Sequence, residues 1–330
     1  MRITRELLIN LAHENAAKMS AKERGLVCVY LTGSLLKAEP FLGGVTDIDV
    51  ICVHDRPVTT AREIIRINAD VHLDLAHYTQ DDFLPARKLR TDAWIGGALE
   101  NDPLILQDSA HWFDLTRSNA TSQFWQPANV AARAGSFITF ARQNWLALQD
   151  GSLPQGIKRI QALLDVIRDT ANAAAALNGM PLPIRRLFLE LPERAAKAGI
   201  PELAGELVQI FTSDEVTDEH WSPWLAGWMS AFDALKTEKD APAAIHPNRR
   251  NYYEKAVEAL TADRPAAALW IILRTWTKAS AALPKSGTPY KEWQNMCHQL
   301  NLEAKNLPQR LDALDAALDL VEEVVDAMRS

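Results

Sequence analysis

Two aspartates at the start of an apolar run are the residues of this sequence best suited to chemistry. The run DIDVICV (47–53) is typical of a strand, so Asp47 and Asp49 point to the same face with their Cα atoms roughly 6.5 Å apart. Two carboxylates ~4 Å apart at an effective dielectric near 20 repel each other by about 4 kcal/mol. A divalent cation between them turns that repulsion into attraction. The alternative interpretation is that both carboxylates stand in water at the edge of the strand.

A third aspartate follows in the segment VHLDLAHY (71–78), which alternates strictly between apolar and other residues. The alternation predicts a strand with Leu73 and Leu75 on its buried face and His72 and Asp74 on the opposite, polar face. If this strand neighbours the first, Asp74 completes a set of three carboxylates. An ordinary exposed strand residue is the alternative for Asp74, and His72 could orient its carboxylate.

A Gly-Ser turn precedes the aspartates, in the segment LTGSLL (31–36). A turn of this kind offers exposed backbone N–H groups and a hydroxyl, which suit an anion such as a triphosphate, so Gly33 and Ser34 are candidate nucleotide-binding residues. Lys37 could reach the same anion, although a solvated lysine is the commoner outcome. Taken alone, the turn merely ends a strand.

The surrounding pattern predicts an α+β fold with two domains. Strands are expected at 26–32, 47–53, 71–78 and 103–107, with a helix over TTAREIIRI (59–67) and another opening at Thr79. Strands alternating with helices indicate a mixed sheet with flanking helices. After residue 125 the strand signals stop, and seven helical patterns predict an all-helical bundle. We expect a catalytic domain over 1–125 and a helical domain over 126–330.

Composition and charge exclude several classes of function. The chain has 330 residues, 48% of them apolar, and a net charge of −7, which disfavours nucleic acid as a partner. Three scattered cysteines and the absence of a long apolar run predict a cytoplasmic protein that neither spans a membrane nor binds zinc. The sequence leaves open whether the chain is a monomer or a homodimer.

Secondary signals in the helical half favour structural roles. Trp221, Trp224 and Trp228 fall on one helix face, which indicates core packing more than an aromatic pocket. The acids Asp214, Glu215, Asp218 and Glu219 are typical of a first helical turn, although an acidic pocket would suit a cationic acceptor.

The stretch LTGSLLKAEPFLGGVTDIDVICV, followed by LDL, resembles the DNA polymerase β-like nucleotidyltransferase superfamily over roughly residues 25–108. An attached helical domain is similar in arrangement to aminoglycoside and other small-substrate nucleotidyltransferases. The resemblance implies that Asp47, Asp49 and Asp74 hold Mg²⁺ or Mn²⁺. It also implies that Asp74 accepts the acceptor's proton, and that Gly33 and Ser34 hold the phosphates of a nucleoside triphosphate (NTP). A long, glycine-bearing loop at 37–44 departs from the shorter, Arg-containing loop of many relatives.

Three hypotheses about function follow. The first is an enzyme that moves a nucleoside monophosphate (NMP) group from an NTP to a hydroxyl of a small molecule and releases pyrophosphate. The second is the same reaction on a protein or RNA, as in antitoxin-like or regulatory relatives. The third is a nucleotide-binding protein without catalysis, which the intact set of acids disfavours.

Overall fold

The computed structural model describes residues 3–68, 70–109, 111–238, 241–302 and 306–329. It is an α+β structure with one mixed five-stranded sheet and a C-terminal part made of helices, which confirms the predicted class. None of the helices in these ranges has the length and apolar character needed to cross a membrane.

The chain divides into two compact units, and each unit is formed by two separate stretches of the sequence. The first unit contains Met1–Asn129 together with Asn251–Ala259, and the second contains Val130–Arg250 and Leu260–Ser330. The sequence predicts that everything after residue 125 belongs to the helical domain. In the structure, a short segment from late in the chain belongs with the first unit.

The sheet of the first unit has the strand order β3-β4-β2-β1-β5. The strands are β1 Leu26–Thr32, β2 Ile48–His54, β3 Arg62–Arg66, β4 His72–Thr79 and β5 Leu104–Asp108. Strands β2 and β4 are parallel, and the other neighbouring pairs are antiparallel. Four of these strands are the predicted ones, with ends shifted by at most one residue.

Helix α1 (Arg5–Lys22) covers one face of this sheet and fixes which residues point the other way. Its buried residues Leu8, Ala12 and Ala16 belong to the same core cluster as alternate residues of the strands, among them Ile48 and Leu73. Since successive strand residues point to opposite faces, the residues between them point away from α1. Asp49 and Asp74 are on that opposite face.

The prediction of a helix over TTAREIIRI is wrong, because Arg62–Arg66 forms the edge strand β3. Within Arg62–Arg66 there is only one isoleucine on each face of the strand, Ile64 and Ile65, so the apolar periodicity distinguishes poorly between helix and strand. Pairing with β4 decides the outcome, and it sets Ile64 opposite Asp74 and Arg62 opposite Ala76.

The described chain contains eleven further α-helices, joined by loops and short 3₁₀ helices. They are α2 Ile95–Glu100, α3 Trp112–Thr121, α4 Pro127–Gln149, α5 Ile157–Ala176, α6 Leu187–Lys197, α7 Leu203–Phe211, α8 Asp218–Ala234, α9 Arg250–Leu260, α10 Pro265–Ala282, α11 Thr288–Gln299 and α12 Leu307–Arg329. The seven helical patterns predicted after residue 125 correspond to helices here, while α6 and α11 were not predicted. On α8, Trp224 and Trp228 are buried as expected, and Trp221 is partly exposed. Asp218 and Glu219 lie in its first turn, whereas Asp214 and Glu215 precede the helix.

Helix α9 supplies the late segment of the first unit, and it braces the start of β4. The Tyr252 ring packs edge-on against His72 with 5.2 Å between centroids, and Asn251 Nδ2 donates to Asp70 Oδ1 at 2.7 Å. On the loop 37–44, Gly43 lies so close to this helix that a Cβ there would be 1.9 Å from the Lys255 carbonyl oxygen. The helix therefore contacts two segments that precede the aspartates.

Tyr252→Ala should loosen β4 locally. Truncating a buried aromatic costs about 3 kcal/mol, and here the ring that packs on His72 is lost. We expect faster amide hydrogen exchange in peptides covering residues 72–79, measured by mass spectrometry, and unchanged exchange in α10 of the second unit. Tyr252→Phe keeps the ring and should behave as wild type; equal loosening in both variants would contradict the bracing role.

Candidate metal site

A row of residues crosses the sheet at the position of the aspartates. Asp49 on β2 is the register partner of Asp74 on the parallel strand β4, and Thr32 at the end of β1 is the partner of Asp49 on its other side. Neighbouring strands are about 4.8 Å apart, so the two carboxylates lie side by side on the face away from α1. Asp47 directly precedes β2. It lies two residues before Asp49, a spacing that places both side chains on the same side of a strand.

The three carboxylates converge. One oxygen from each of Asp47, Asp49 and Asp74 lies within 4.8 Å of the other two. Asp47 and Asp74 are buried, with 3% and 2% of their surface exposed, and Asp49 is partly exposed. Buried carboxylates at this separation repel strongly unless a cation lies among them. The triad could therefore hold a metal ion, and the set of oxygen donors suits Mg²⁺, Mn²⁺ or Ca²⁺ better than a soft metal.

A buried hydroxyl near the triad fits that interpretation. The Thr32 hydroxyl, beside Asp49 in the register, is buried and has no hydrogen-bond partner in the described part of the chain. A buried hydroxyl without a partner is costly in a folded protein. A metal ion or one of its bound waters would supply the missing partner. The sequence does not single out Thr32, since a threonine that ends a strand carries no distinctive signal.

The Gly-Ser turn approaches the triad closely. Gly33 has φ +80° and ψ −156°, a conformation that favours glycine, and a Cβ added there would lie 2.1 Å from Asp49 Oδ2. Ser34 follows, and its hydroxyl is 2.7 Å from that of Thr46, the residue before Asp47. The turn thus lies directly against Asp49 and is hydrogen-bonded to the residue that precedes Asp47.

Lys37 ends the same turn. Its amide donates to the Ser34 carbonyl at 3.0 Å, and its side chain is half-buried. The phosphate-binding role of Lys37, like those of Gly33 and Ser34, stays a prediction.

Arg62 is the site residue that the sequence analysis missed. From β3 it donates twice to Asp74, Nε to Oδ1 and Nη2 to Oδ2, both at 2.6 Å. The Asp74 side chain is 1% exposed, whereas that of Arg62 is 49% exposed. A bidentate bond of this kind uses one acceptor site on each oxygen, and each keeps another for a metal. The arginine was missed because its segment was assigned to a helix, from which it would not lie beside Asp74.

Gly33→Ala tests the close approach of the turn. The added methyl group overlaps Asp49 Oδ2, so we expect Mn²⁺ binding, measured by electron paramagnetic resonance, to weaken by roughly tenfold or more. Gly44→Ala is the matched control, since Gly44 also has positive φ but nothing within 4 Å of an added Cβ. Both variants should lose about 1–3 kcal/mol of stability to backbone strain. Equal Mn²⁺ affinity in the two would show that the contact with Asp49 is unimportant.

Arg62→Ala tests whether the guanidinium and a metal compete for Asp74. A charged hydrogen bond contributes about 1.5–3 kcal/mol, so removing it should tighten Mn²⁺ binding by roughly tenfold. Without metal the variant should unfold more easily, because the buried carboxylates lose a counter-charge. Arg66→Ala on the same strand is the control, as Arg66 is exposed and donates to the Asn68 carbonyl. Unchanged Mn²⁺ affinity in Arg62→Ala would mean that the two cations share Asp74 without competing.

No model of a known protein family matches the chain, and a search of the curated proteins finds no match to it. The function is therefore argued from the geometry of the site. That geometry consists of three converging carboxylates, a buried hydroxyl beside them, a glycine turn against Asp49 and an arginine on Asp74.

Proposed function

We propose that the first unit is a nucleotidyltransferase of the DNA polymerase β-like type. It moves an NMP group from an NTP to a hydroxyl of a small molecule and releases pyrophosphate. The observation that carries the proposal is the convergence of Asp47, Asp49 and Asp74 beside the Gly33-Ser34 turn. A carboxylate triad alone fits many metal sites, and the adjoining turn is what favours a phosphate substrate.

In this proposal the chain's residues divide the work between holding the metals and holding the phosphates. Asp47 and Asp49 ligate two Mg²⁺ or Mn²⁺ ions, which when bound stabilise both the attacking and the leaving oxygen. Gly33 and Ser34 hold the β- and γ-phosphates through the backbone N–H groups and the hydroxyl of the turn. Lys37 is a further candidate for the triphosphate.

Asp74 has the second role, at the acceptor. It takes the proton of the acceptor hydroxyl as the bond from that oxygen to the α-phosphorus forms and the bond to the bridging oxygen of pyrophosphate breaks. Arg62 fixes the orientation of the Asp74 carboxylate through two bonds, and its charge lowers the cost of burying it. We place the reaction in the cytoplasm, where NTPs are made and where the three buried cysteines stay reduced.

Asp47→Asn and Asp49→Asn test the metal-dependent step. Each removes a negative charge from the metal site without changing its shape, so NTP-dependent pyrophosphate release should fall roughly 100-fold or more. Binding of an α,β-imido NTP in the presence of Mn²⁺, followed by calorimetry, gives a second readout that does not require the acceptor. Asp55→Asn is the control, because Asp55 is exposed and bonded to Arg56.

Normal turnover in the Asp47 and Asp49 variants would disprove the proposal. Tight NTP binding whose affinity is unchanged by EDTA would favour a nucleotide-binding protein without catalysis. The destination of label from an α-labelled NTP separates the remaining two alternatives. Label on a soluble acceptor supports the small-molecule reaction, and label on protein or RNA supports the macromolecular one.

A further inference from the structure

Two histidines meet on the α1 face of the sheet, at the ends of β2 and β4 that lie away from the aspartates. His54 Nε2 is 3.0 Å from His77 Nδ1, a hydrogen-bond distance, and the two ring centroids are 5.2 Å apart. His54 is 4% exposed, and His77 is partly exposed. The two residues are 23 positions apart in the sequence, and the parallel pairing of β2 with β4 brings them together.

The bond between the two rings depends on their state of protonation. One of the facing nitrogens must carry a proton and the other a lone pair, which is possible while at least one ring is neutral. When both rings are charged, every ring nitrogen carries a proton, so two N–H groups face each other and two positive charges repel across the same short distance. Uptake of a second proton therefore breaks the contact.

Each ring has a carboxylate on its other side. Glu23, which follows α1, places its Oε2 4.0 Å from His54 Nδ1, within ion-pair distance of a charged ring. Glu63 on β3 is the register partner of Leu75, two residues before His77, so Glu63 and His77 lie diagonally on the same face. Diagonal neighbours of this kind are roughly 7–8 Å apart, which long side chains can span.

A cavity of about 390 Å³ gives the rings room to move, and all four of these side chains line it. In a close-packed core a repelled ring would have to displace its neighbours. Here the His77 ring can turn into open space. Its second nitrogen, Nε2, has no hydrogen-bond partner within the described residues, so the bond to His54 is the hydrogen bond that the turn would give up.

The surroundings favour neutral rings at neutral pH. Burial lowers the pKa of His54 below its ordinary value, a charged His77 lowers it further, and Glu23 and Asp55 oppose the shift only in part. Folded His54 therefore binds a proton less readily than unfolded His54. Its contribution to stability is complete above the unfolded pKa of about 6.5 and is lost as the pH falls below that value. The other titratable groups beside the pair in the described chain are Cys52, Glu63, Arg24 and Arg56, which is bonded to Asp55.

We propose that His54 and His77 form a pH switch in the first unit. At neutral pH the rings bond to each other and hold the ends of β2 and β4 together. Below about pH 6 both rings take a proton and the bond breaks. Glu23 then balances the charge of His54, and Glu63 balances that of His77 across the cavity. The inference does not depend on nucleotidyl transfer, and its tests need neither metal nor nucleotide.

Hydrogen exchange of the full chain at about pH 7.5 and about pH 5 tests the switch, with rates corrected for the intrinsic pH dependence of exchange. In the wild type, the protection of residues 50–56 and 75–81 should fall roughly tenfold more than that of α10, the effect of one pKa unit. His54→Gln should lose this acid response, because its amide takes the place of Nε2 and bonds to His77 but accepts no charge. His13→Gln is the matched control, an exposed histidine of the same unit, and should respond as wild type does.

His77→Asn is a second variant that serves if circular dichroism shows His54→Gln to be unfolded. Its amide takes the place of Nδ1, so it should also lack the acid response. It provides a readout that a purely structural histidine would not move, the titration of the His54 ring followed by nuclear magnetic resonance. Removing the charge of His77 should raise the pKa of His54.

Glu63→Gln tests the acid form of the switch. Without this carboxylate the charged His77 is less stable, so the midpoint of the acid response should move to lower pH by roughly half a unit. Glu6→Gln, an exposed glutamate in the first turn of α1, is the control and should leave the midpoint in place.

Four results would overturn the inference. They are a wild type without an acid response at the ends of β2 and β4, an unchanged response in both histidine variants, loss of the response in His13→Gln, and an unchanged midpoint in Glu63→Gln. Because no measurement uses metal or nucleotide, failure of the switch and failure of the proposed nucleotidyl transfer are distinguishable.

Discussion

Repulsion among three converging carboxylates, two of them buried, is the constraint on which the first unit depends. Asp47, Asp49 and Asp74 approach within 4.8 Å of one another on a sheet face that excludes much of the solvent. In the low dielectric of that face the repulsion is several times what it would be in water. The surrounding elements hold the acids together against it: the parallel register of β2 and β4, the turn at Gly33, and the guanidinium of Arg62. A metal ion would bind favourably here, because the fold already holds negative charges close together.

The sequence was most informative where the relative positions of side chains follow from their alternation along a strand or from a short spacing in the chain. The shared face of Asp47 and Asp49 follows from alternation along one strand, and the position of Asp74 follows from alternation along another. The four predicted strands lie within one residue of those observed. The burial of Trp224 and Trp228 was likewise set by helical period.

What the sequence left undetermined depends on pairing between distant segments. An edge strand with one isoleucine on each face has no clear period, so β3 and the bond from Arg62 to Asp74 emerge only when β4 is present as a partner. The predicted alternation also made the His72 and Asp74 side of β4 polar, whereas both residues are buried. Arg62 and Tyr252 cover them, and they come from segments 10 residues before His72 and 180 residues after it.

The position of helix α9 has a consequence for how the protein is made. Synthesis proceeds from the N-terminus, so the ribosome completes the sheet and its three acids long before it reaches Asn251–Ala259. Until then β4 lacks the Tyr252 ring and the loop at Gly43 lacks the backbone against which it packs. After the last strand of the sheet, nearly half of the chain must still be synthesised before the first unit is complete, and most of that stretch belongs to the second unit. The two units are thus linked in the order of their biosynthesis, and a fragment ending at residue 129 would carry every acid of the triad without the helix that braces it.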